Sequence, residues 1–152
     1  MAKEIERKFL LVKESSIPIP ENYAKLKIKQ GYLVAEKGKQ IRVRLTRTNA
    51  FFTIKYTGSL VRDEFEYEIP MKDAKQIYSK CDLKVEKNRL SFSRNGVHYD
   101  IDTFPNGIVF VEVEYPSIKA MKSWVKPSWV GKEITGVKKF SNIEIAKKNK
   151  NG

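Results

Sequence analysis

The stretch EIERKFL, residues 4–10, decides how this chain folds. Read with the two-residue period of a β-strand, it places Glu4, Glu6 and Lys8 on one face. The opposite face, which includes Phe9, is more apolar and suits a buried core. Two explanations of the charged face are open: an ordinary solvent-exposed sheet face, or a site that binds a metal and an anion together.

Similar alternation continues through most of the chain and predicts an antiparallel β-structure in a single domain, residues 1–152. Asn95-Gly96 is a strong hairpin signal, because both residues tolerate a positive φ. We predict three helices, of which the last is capped by Ser141, at residues 71–81, 117–125 and about 141–149. The eight predicted strands are residues 3–12, 27–35, 39–46, 50–58, 63–70, 85–94, 97–104 and 107–116.

The charges are sorted by sign from strand to strand. Arg42 and Arg44 share one face of a strand, whereas Glu112 and Glu114 share one face of another. Solvent-exposed faces usually mix the two signs, because like charges on neighbouring strands destabilise a sheet. Two architectures fit: an open sheet with its charged face in water, or a closed barrel with charges inside and helices outside. Sorted charge favours the barrel, since bound ligands would neutralise it.

Composition limits the partners and the chemistry. The net charge of +12 over 152 residues favours a polyanionic partner, such as nucleic acid, an anionic membrane or a phosphorylated small molecule. Clustered carboxylates without His or Cys suit Mg²⁺ or Mn²⁺, and Arg and Lys suit phosphate oxygens. The sequence contains no Ser–His or Cys–His nucleophile pattern, Walker loop, Rossmann fingerprint or RNA-binding signature. Because the chain has one cysteine, Cys81, and no signal peptide or membrane span, we expect a cytoplasmic protein.

Taken in order, these segments resemble a known family, the CYTH or triphosphate tunnel metalloenzyme proteins. EIERKFL matches the ExExK signature at the start of that family. The later matching blocks are KQGYL, IRVRL, TIKYTG, LVRDEFEYEI, VEKNRL, YDIDTF, VEVEY and WVGKEITG followed by FSN. The similarity covers about residues 3–146 and is closest to the short bacterial inorganic tripolyphosphatases.

The resemblance implies a fold, a reaction and a set of site residues. The fold would be α+β, an eight-stranded antiparallel closed β-barrel that forms a tunnel with a charged interior and flanking helices. The reaction would be hydrolysis of a triphosphate compound, foremost inorganic tripolyphosphate, with Mg²⁺ or Mn²⁺. The implied metal carboxylates are Glu4, Glu6 and Glu114 at the centre with Glu112, supported by Glu64, Glu66 and Asp102. The implied phosphate-binding residues are Lys8, Arg42, Arg44, Lys55, Arg62, Lys87 and Arg89, and the implied catalytic pair is Lys8 with Tyr32.

Several alternatives stay open on the sequence. A related enzyme would be a thiamine triphosphatase, a nucleotide triphosphatase or a class IV-type adenylate cyclase. A protein of a different class would be a non-catalytic polyphosphate- or nucleotide-binding module, against which the two Glu-x-Glu pairs argue. We expect a small-molecule triphosphate as partner, no specific nucleic acid and no membrane. The sequence leaves open whether the chain forms a homodimer.

Overall fold

Nine β-strands and three α-helices make up the computed structural model, which describes residues 3–13, 16–57 and 60–151. The strands are β1 (Lys3–Leu11), β2 (Tyr23–Glu36), β3 (Lys39–Leu45), β4 (Ala50–Tyr56), β5 (Val61–Glu68), β6 (Leu83–Arg94), β7 (Val97–Thr103), β8 (Val109–Glu114) and β9 (Val130–Glu133). The helices are α1 (Met71–Lys80), α2 (Ile118–Ser123) and α3 (Asn142–Asn151), with a 3-10 turn at Lys138–Phe140 before α3. Among the described residues, no helix has both the length and the apolar character that crossing a membrane requires.

Strands β1 to β8 pair antiparallel in a closed ring. Their order around the ring is β1, β5, β4, β3, β2, β6, β7 and β8, after which β8 pairs with β1 again. The ring closes through β1, whose residues 3–5 pair with residues 61–63 of β5 and whose residues 6–10 pair with β8. Strand β9 pairs with the end of β1 outside this ring. The predicted antiparallel arrangement of eight strands is therefore confirmed.

The predicted local signals have the expected geometry. Asn95 and Gly96 have φ angles of 52° and 76°, as a two-residue hairpin between β6 and β7 requires. Ser141 caps the last helix, because its side-chain oxygen accepts a hydrogen bond from the backbone N–H of Glu144 at 3.1 Å.

The helices cover the apolar outer face of the strands and one end of the ring. Helix α1 packs on the outward side chains of β3 and β4, such as Val43 and Ala50. Helix α2, with Trp124 at its end, packs on a cluster of buried aromatic and aliphatic residues around β1, β7 and β8. Helix α3 and the turn before it pack against the apolar ends of β2, β6 and β8. Outward apolar side chains such as Val43 therefore lie under helices, and the inner face carries apolar residues such as Val85 and Phe110 at the end that α3 covers.

Several predicted elements begin or end at other residues, and one strand was not predicted. Strand β2 begins at Tyr23 rather than residue 27, β6 begins at Leu83 rather than residue 85, and the four-residue strand β9 is additional. Helix α2 ends at Ser123 rather than residue 125, and Val125 beyond it is 85% exposed. The last residue of the predicted strand 50–58 lies outside the described residues.

Candidate functional site

The charged side chains of the strands share the inner face of the ring. On β3, Val43 and Leu45 pack outward under α1, so Arg42 and Arg44 point inward. The same alternation on β1 directs Glu4 and Glu6 inward, where they meet side chains from other strands. The alternation predicted from the sequence therefore places both signs of charge on the inner face of one ring.

Three carboxylates converge at one point of this inner face. Glu4, Glu6 and Glu114 each offer one oxygen, and these oxygens lie within 4.8 Å of one another. The Glu6 side chain is only 12% exposed. Burial, together with the nearby carboxylates of Glu112 and Glu4, raises the pKa of Glu6 to about 8. Crowded, half-buried carboxylates of this kind fit a divalent cation, and an all-oxygen donor set suits Mg²⁺ or Mn²⁺.

Two cations contact the same carboxylate group. Lys55 Nζ lies 2.8 Å from Glu4 Oε1, and Arg62 Nη2 lies 3.0 Å from the same oxygen. Arg62 also lies 3.5 Å from Glu6 Oε1, and Lys55 lies 3.7 Å from Glu64 Oε2. Although burial opposes ionisation, these cations hold the pKa of Glu4 below its usual range. Glu4 is therefore ionised at neutral pH and available as a ligand.

A second ion-pair network lies deeper in the ring, around Asp102. Asp102 is 1% exposed; it accepts two hydrogen bonds from Arg89, at 2.7 and 2.9 Å, and lies 2.8 Å from Lys87 Nζ. Burial alone would raise its pKa, but the two cations hold the pKa of Asp102 well below its usual range. Arg89 also pairs with Asp100 at 3.3 Å and Glu112 at 3.1 Å. Asp102 and Glu112 thus lie on the inner face, each beside a cation.

The remaining predicted carboxylates lie on β5. Glu64 is near Lys55 and Glu4, and burial followed by the charge of Glu4 raises its pKa. Glu66 accepts a hydrogen bond from Thr53 Oγ1 at 3.1 Å. These two carboxylates therefore border the inner face without joining the cluster of Glu4, Glu6 and Glu114.

Arg42 and Arg44 differ from the other cations of the inner face. Neither makes an ion pair within the part of the chain that the structure describes. Arg42 Nε is buried without a hydrogen-bond partner there, and Arg44 donates to the side-chain oxygen of Gln30 at 2.8 Å. Burial, followed by the charges of Arg42 and Arg89, lowers the pKa of Arg44 to about 10. An anion bound between them would satisfy both side chains.

Lys8 and Tyr32 lie towards the same end of the ring without bonding to each other. Lys8 Nζ donates to the carbonyl oxygen of Phe140 at 3.0 Å and lies 4.6 Å from the ring centre of Phe110. Tyr32 packs in the same apolar cluster as Phe110, and its hydroxyl accepts a hydrogen bond from Gln30 at 3.1 Å. The role of Lys8 and Tyr32 as a catalytic pair stays a prediction.

Two polar residues of the inner face were not predicted from the sequence. Gln30 is fully buried between Arg44 and Tyr32. Its signal was its position two residues before Tyr32, because the strand period places both side chains on the same face. His98, whose side chain is 41% exposed, lies 2.9 Å from Asp100, and this hydrogen bond raises the pKa of His98. Because His98 lies two residues before Asp100 on β7, the strand period predicts that both side chains lie on the same face of the sheet.

Comparison with known proteins points to one family. No protein-family model matches the chain. The inorganic triphosphatase of Acetivibrio thermocellus is 33% identical over 153 residues, which cover 97% of this chain and 95% of that protein. The inorganic triphosphatase of Nitrosomonas europaea is 32% identical over 149 residues, covering 94% of this chain and 96% of that protein.

Solved structures agree with the sequence comparison. The crystal structure of an inorganic triphosphatase superposes with a TM-score of 0.65 at 29% identity, covering 94% of this chain and 97% of the other. An adenylate cyclase-like protein of Bacillus halodurans superposes with a TM-score of 0.58 at 18% identity over 92% of this chain and 99% of the other, which shows a shared fold. With about one third of the residues identical over nearly the full length of both curated relatives, the chain belongs to the inorganic triphosphatase family.

Proposed function

We propose that this protein hydrolyses inorganic tripolyphosphate with a divalent metal, inside a closed CYTH-type barrel whose interior is a tunnel. One observation supports this most: the inner face joins the cluster of Glu4, Glu6 and Glu114 to Arg42 and Arg44, for which the described residues supply no carboxylate partner. Carboxylates alone would suit a metal, and cations alone would suit an anion. Both together suit a metal–polyphosphate complex.

Glu4, Glu6 and Glu114 would hold the metal, either Mg²⁺ or Mn²⁺. When bound, a divalent cation would supply Lewis-acid chemistry here, neutralising phosphate charge and making the terminal phosphorus more electrophilic. Glu112 would lie at the edge of the metal site, since it already contacts Arg89. Glu64, Glu66 and Asp102 would support the site by fixing the cations and hydroxyl beside them.

The cations would bind and orient the phosphates. Arg42, Arg44 and Lys8 have no carboxylate partner among the described residues, so they would contact phosphate directly. Lys55 and Arg62 contact Glu4, and they become available to phosphate once Glu4 serves as a metal ligand. Lys87 and Arg89 are the remaining phosphate-binding residues of the proposal.

Lys8 and Tyr32 would act at the reacting end of the substrate. A lysine ammonium at this position can orient the attacking water and stabilise the charge that develops on the terminal phosphate. The Tyr32 hydroxyl can donate a hydrogen bond to an oxygen atom at the same end of the ring. In-line attack by the oriented water on the terminal phosphorus would then break its bond to the bridging oxygen and give orthophosphate, with pyrophosphate as the leaving group and the proton of the water passing to solvent.

A direct assay separates this function from the others. Phosphate release is measured from tripolyphosphate, thiamine triphosphate and ATP, each with Mg²⁺, Mn²⁺ or EDTA, and cyclic AMP formation from ATP is measured in parallel. We expect the highest kcat/KM for tripolyphosphate and no turnover in EDTA. Faster hydrolysis of thiamine triphosphate or ATP, or cyclic AMP formation, would overturn the substrate assignment, and binding without turnover would indicate a binding module. We further propose that the protein acts in the cytoplasm on small molecules, without nucleic acid or membrane partners.

A further inference from the structure

A buried glutamine connects two proposed substrate-binding side chains. Gln30 lies on the inner face of β2 and is fully buried. Arg44 Nε donates to Gln30 Oε1 at 2.8 Å, and Gln30 Nε2 donates to the Tyr32 hydroxyl at 3.1 Å. The three side chains therefore form one continuous hydrogen-bond chain along the interior of the ring.

The direction of this chain is fixed by chemistry. A guanidinium group can only donate hydrogen bonds, so the oxygen of the Gln30 amide must face Arg44 and its NH₂ group must face Tyr32. The Tyr32 hydroxyl therefore accepts the bond from Gln30 and keeps its own proton for another acceptor. In the part of the chain that the structure describes, no protein group accepts that proton.

Lys8 cannot accept this proton either. A charged ammonium only donates, and Lys8 Nζ already donates to the carbonyl oxygen of Phe140 at 3.0 Å. With no protein acceptor among the described residues, the Tyr32 hydroxyl proton is free for a solvent or ligand oxygen inside the ring. Tyr32 belongs to the buried cluster that includes Phe110, and Lys8 Nζ lies 4.6 Å from the Phe110 ring centre, so a substrate oxygen bound near Lys8 would lie at the same end of the ring as Tyr32.

We propose that Gln30 is a positioning residue that holds the Arg44 guanidinium and directs the Tyr32 hydroxyl proton towards an oxygen of the bound triphosphate. This inference rests on the proposed function, since it needs an anion at Arg44. It assigns Tyr32 to a hydrogen-bond chain that runs through Gln30 and Arg44, and it makes the effect of Tyr32 independent of Lys8. A purely structural Gln30 would instead affect stability alone.

The test compares Gln30→Met, which keeps the length of the side chain but cannot form either hydrogen bond, with Gln76→Met on the exposed surface of α1. We expect Gln30→Met to raise KM for tripolyphosphate about tenfold and to lower kcat by a similar factor, the size of a lost hydrogen bond to a charged group. Gln76→Met should match the wild type. Calorimetry in EDTA should show tripolyphosphate binding about tenfold weaker in Gln30→Met, which a structural role would not produce in a variant that remains folded.

Double variants that combine Tyr32→Phe with a change at Lys8 or Gln30 test the proposal more sharply than the single variants. Tyr32→Phe should lower kcat about tenfold in the wild type and in a Lys8→Ala background, but less than twofold in a Gln30→Met background, because the chain is already broken there. If Gln30→Met does not fold, Gln30→Glu replaces it. Its carboxylate still accepts from Arg44 but would itself take the Tyr32 proton, so Tyr32→Phe should again add less than twofold.

The outcomes separate the two proposals. Equal kinetics and equal binding for Gln30→Met and Gln76→Met would overturn the role of Gln30 while leaving the triphosphatase function intact. The role of Gln30 would also be overturned if the kcat losses of Tyr32→Phe and Gln30→Met multiplied in the double variant. If the wild type bound tripolyphosphate about tenfold more tightly than Gln30→Met but did not hydrolyse it, the proposed function would be overturned and the positioning role of Gln30 supported.

Discussion

Replacing Asp102 by asparagine should destabilise the fold strongly at neutral pH. The substitution preserves the shape of the side chain but removes the charge that Lys87 and Arg89 share. Both cations are largely buried, so the lost charge cannot be replaced by solvent. The two differ in what remains. Arg89 keeps two other carboxylates, whereas Lys87 keeps, among the described residues, no carboxylate but a hydrogen bond to Asn142 Oδ1 at 2.9 Å and a position 5.8 Å from the Phe104 ring centre.

The size of the effect follows from leaving two buried cations without the carboxylate that they share. Removing one partner of a buried ion pair typically costs about 3–5 kcal/mol. Lys87 can avoid being an unpaired buried charge by losing its proton, which limits its own share of this loss. Burial already lowers the pKa of Lys87 to about 8 in the wild type, so at pH 7 the neutral form lies only about 1.4 kcal/mol above the charged one and the rest of the loss comes from Arg89 and Asp102. We therefore expect Asp102→Asn to lower the free energy of unfolding by about 3–5 kcal/mol.

Urea denaturation at pH 7 in EDTA measures this loss without any contribution from metal. The matched control is Asp63→Asn, because the Lys3–Asp63 pair is exposed and should contribute about 0–1 kcal/mol. Adding Lys87→Met to Asp102→Asn should restore part of the stability, since no unpaired lysine is then buried. A loss below about 1 kcal/mol for Asp102→Asn would refute the argument that Asp102 is the counter-ion of two buried cations.

Three further predictions concern binding, packing and pH. Arg42→Ala should lower kcat/KM for tripolyphosphate by about 10²–10³, because a preorganised cation is lost. A kcat/KM within twofold of the wild type would show that Arg42 does not bind the substrate. Gly31→Ala should cost about 1–3 kcal/mol in thermal or urea unfolding, because its Cβ would lie 2.8 Å from Cys81 Sγ, and Cys81→Ala should recover part of that loss if the contact is the cause. His98→Ala should lose more stability at pH 5.5 than at pH 8.5: the folded state raises the pKa of His98 by its bond to Asp100, so its stabilisation is present at low pH and fades as pH rises through that value. Equal losses at the two pH values would contradict this assignment.

The faces of the strands could be predicted from the sequence because alternation is a local property. In the run IRVRL, Arg42 and Arg44 can only lie opposite Val43, whichever strands are neighbours. The hairpin at Asn95-Gly96 is local in the same sense, since two residues with positive φ determine the turn. These local signals sufficed for the antiparallel pairing and for the shared face of the charged side chains. They did not give the strand order, because β1 pairs with β5 and β2 pairs with β6, which are not neighbours in sequence.

Partners across the ring could not be predicted, because they depend on register and on closure between strands far apart in sequence. The pairing of Lys87 and Arg89 with Asp102, and of Lys55 with Glu4, follows from the closed ring, so these cations looked equivalent to Arg42 in the sequence. Strand β9 escaped prediction because four residues that include Gly131 are too short for a periodic pattern.

Glu6→Gln, assayed for phosphate release from tripolyphosphate with Mg²⁺ or Mn²⁺, tests the central claim that the inner carboxylate cluster holds the metal for hydrolysis. The control is Glu86→Gln, an exposed carboxylate 3.8 Å from Lys29 outside that cluster. We predict that Glu6→Gln unfolds at or above the wild-type urea midpoint, since it replaces a buried carboxyl crowded by Glu112 and Glu4 with a neutral amide of the same size, and that it loses metal-dependent turnover at least 10²-fold. Glu86→Gln should retain wild-type turnover. Full activity in a folded Glu6→Gln variant would contradict the assignment of the metal site and the mechanism that depends on it.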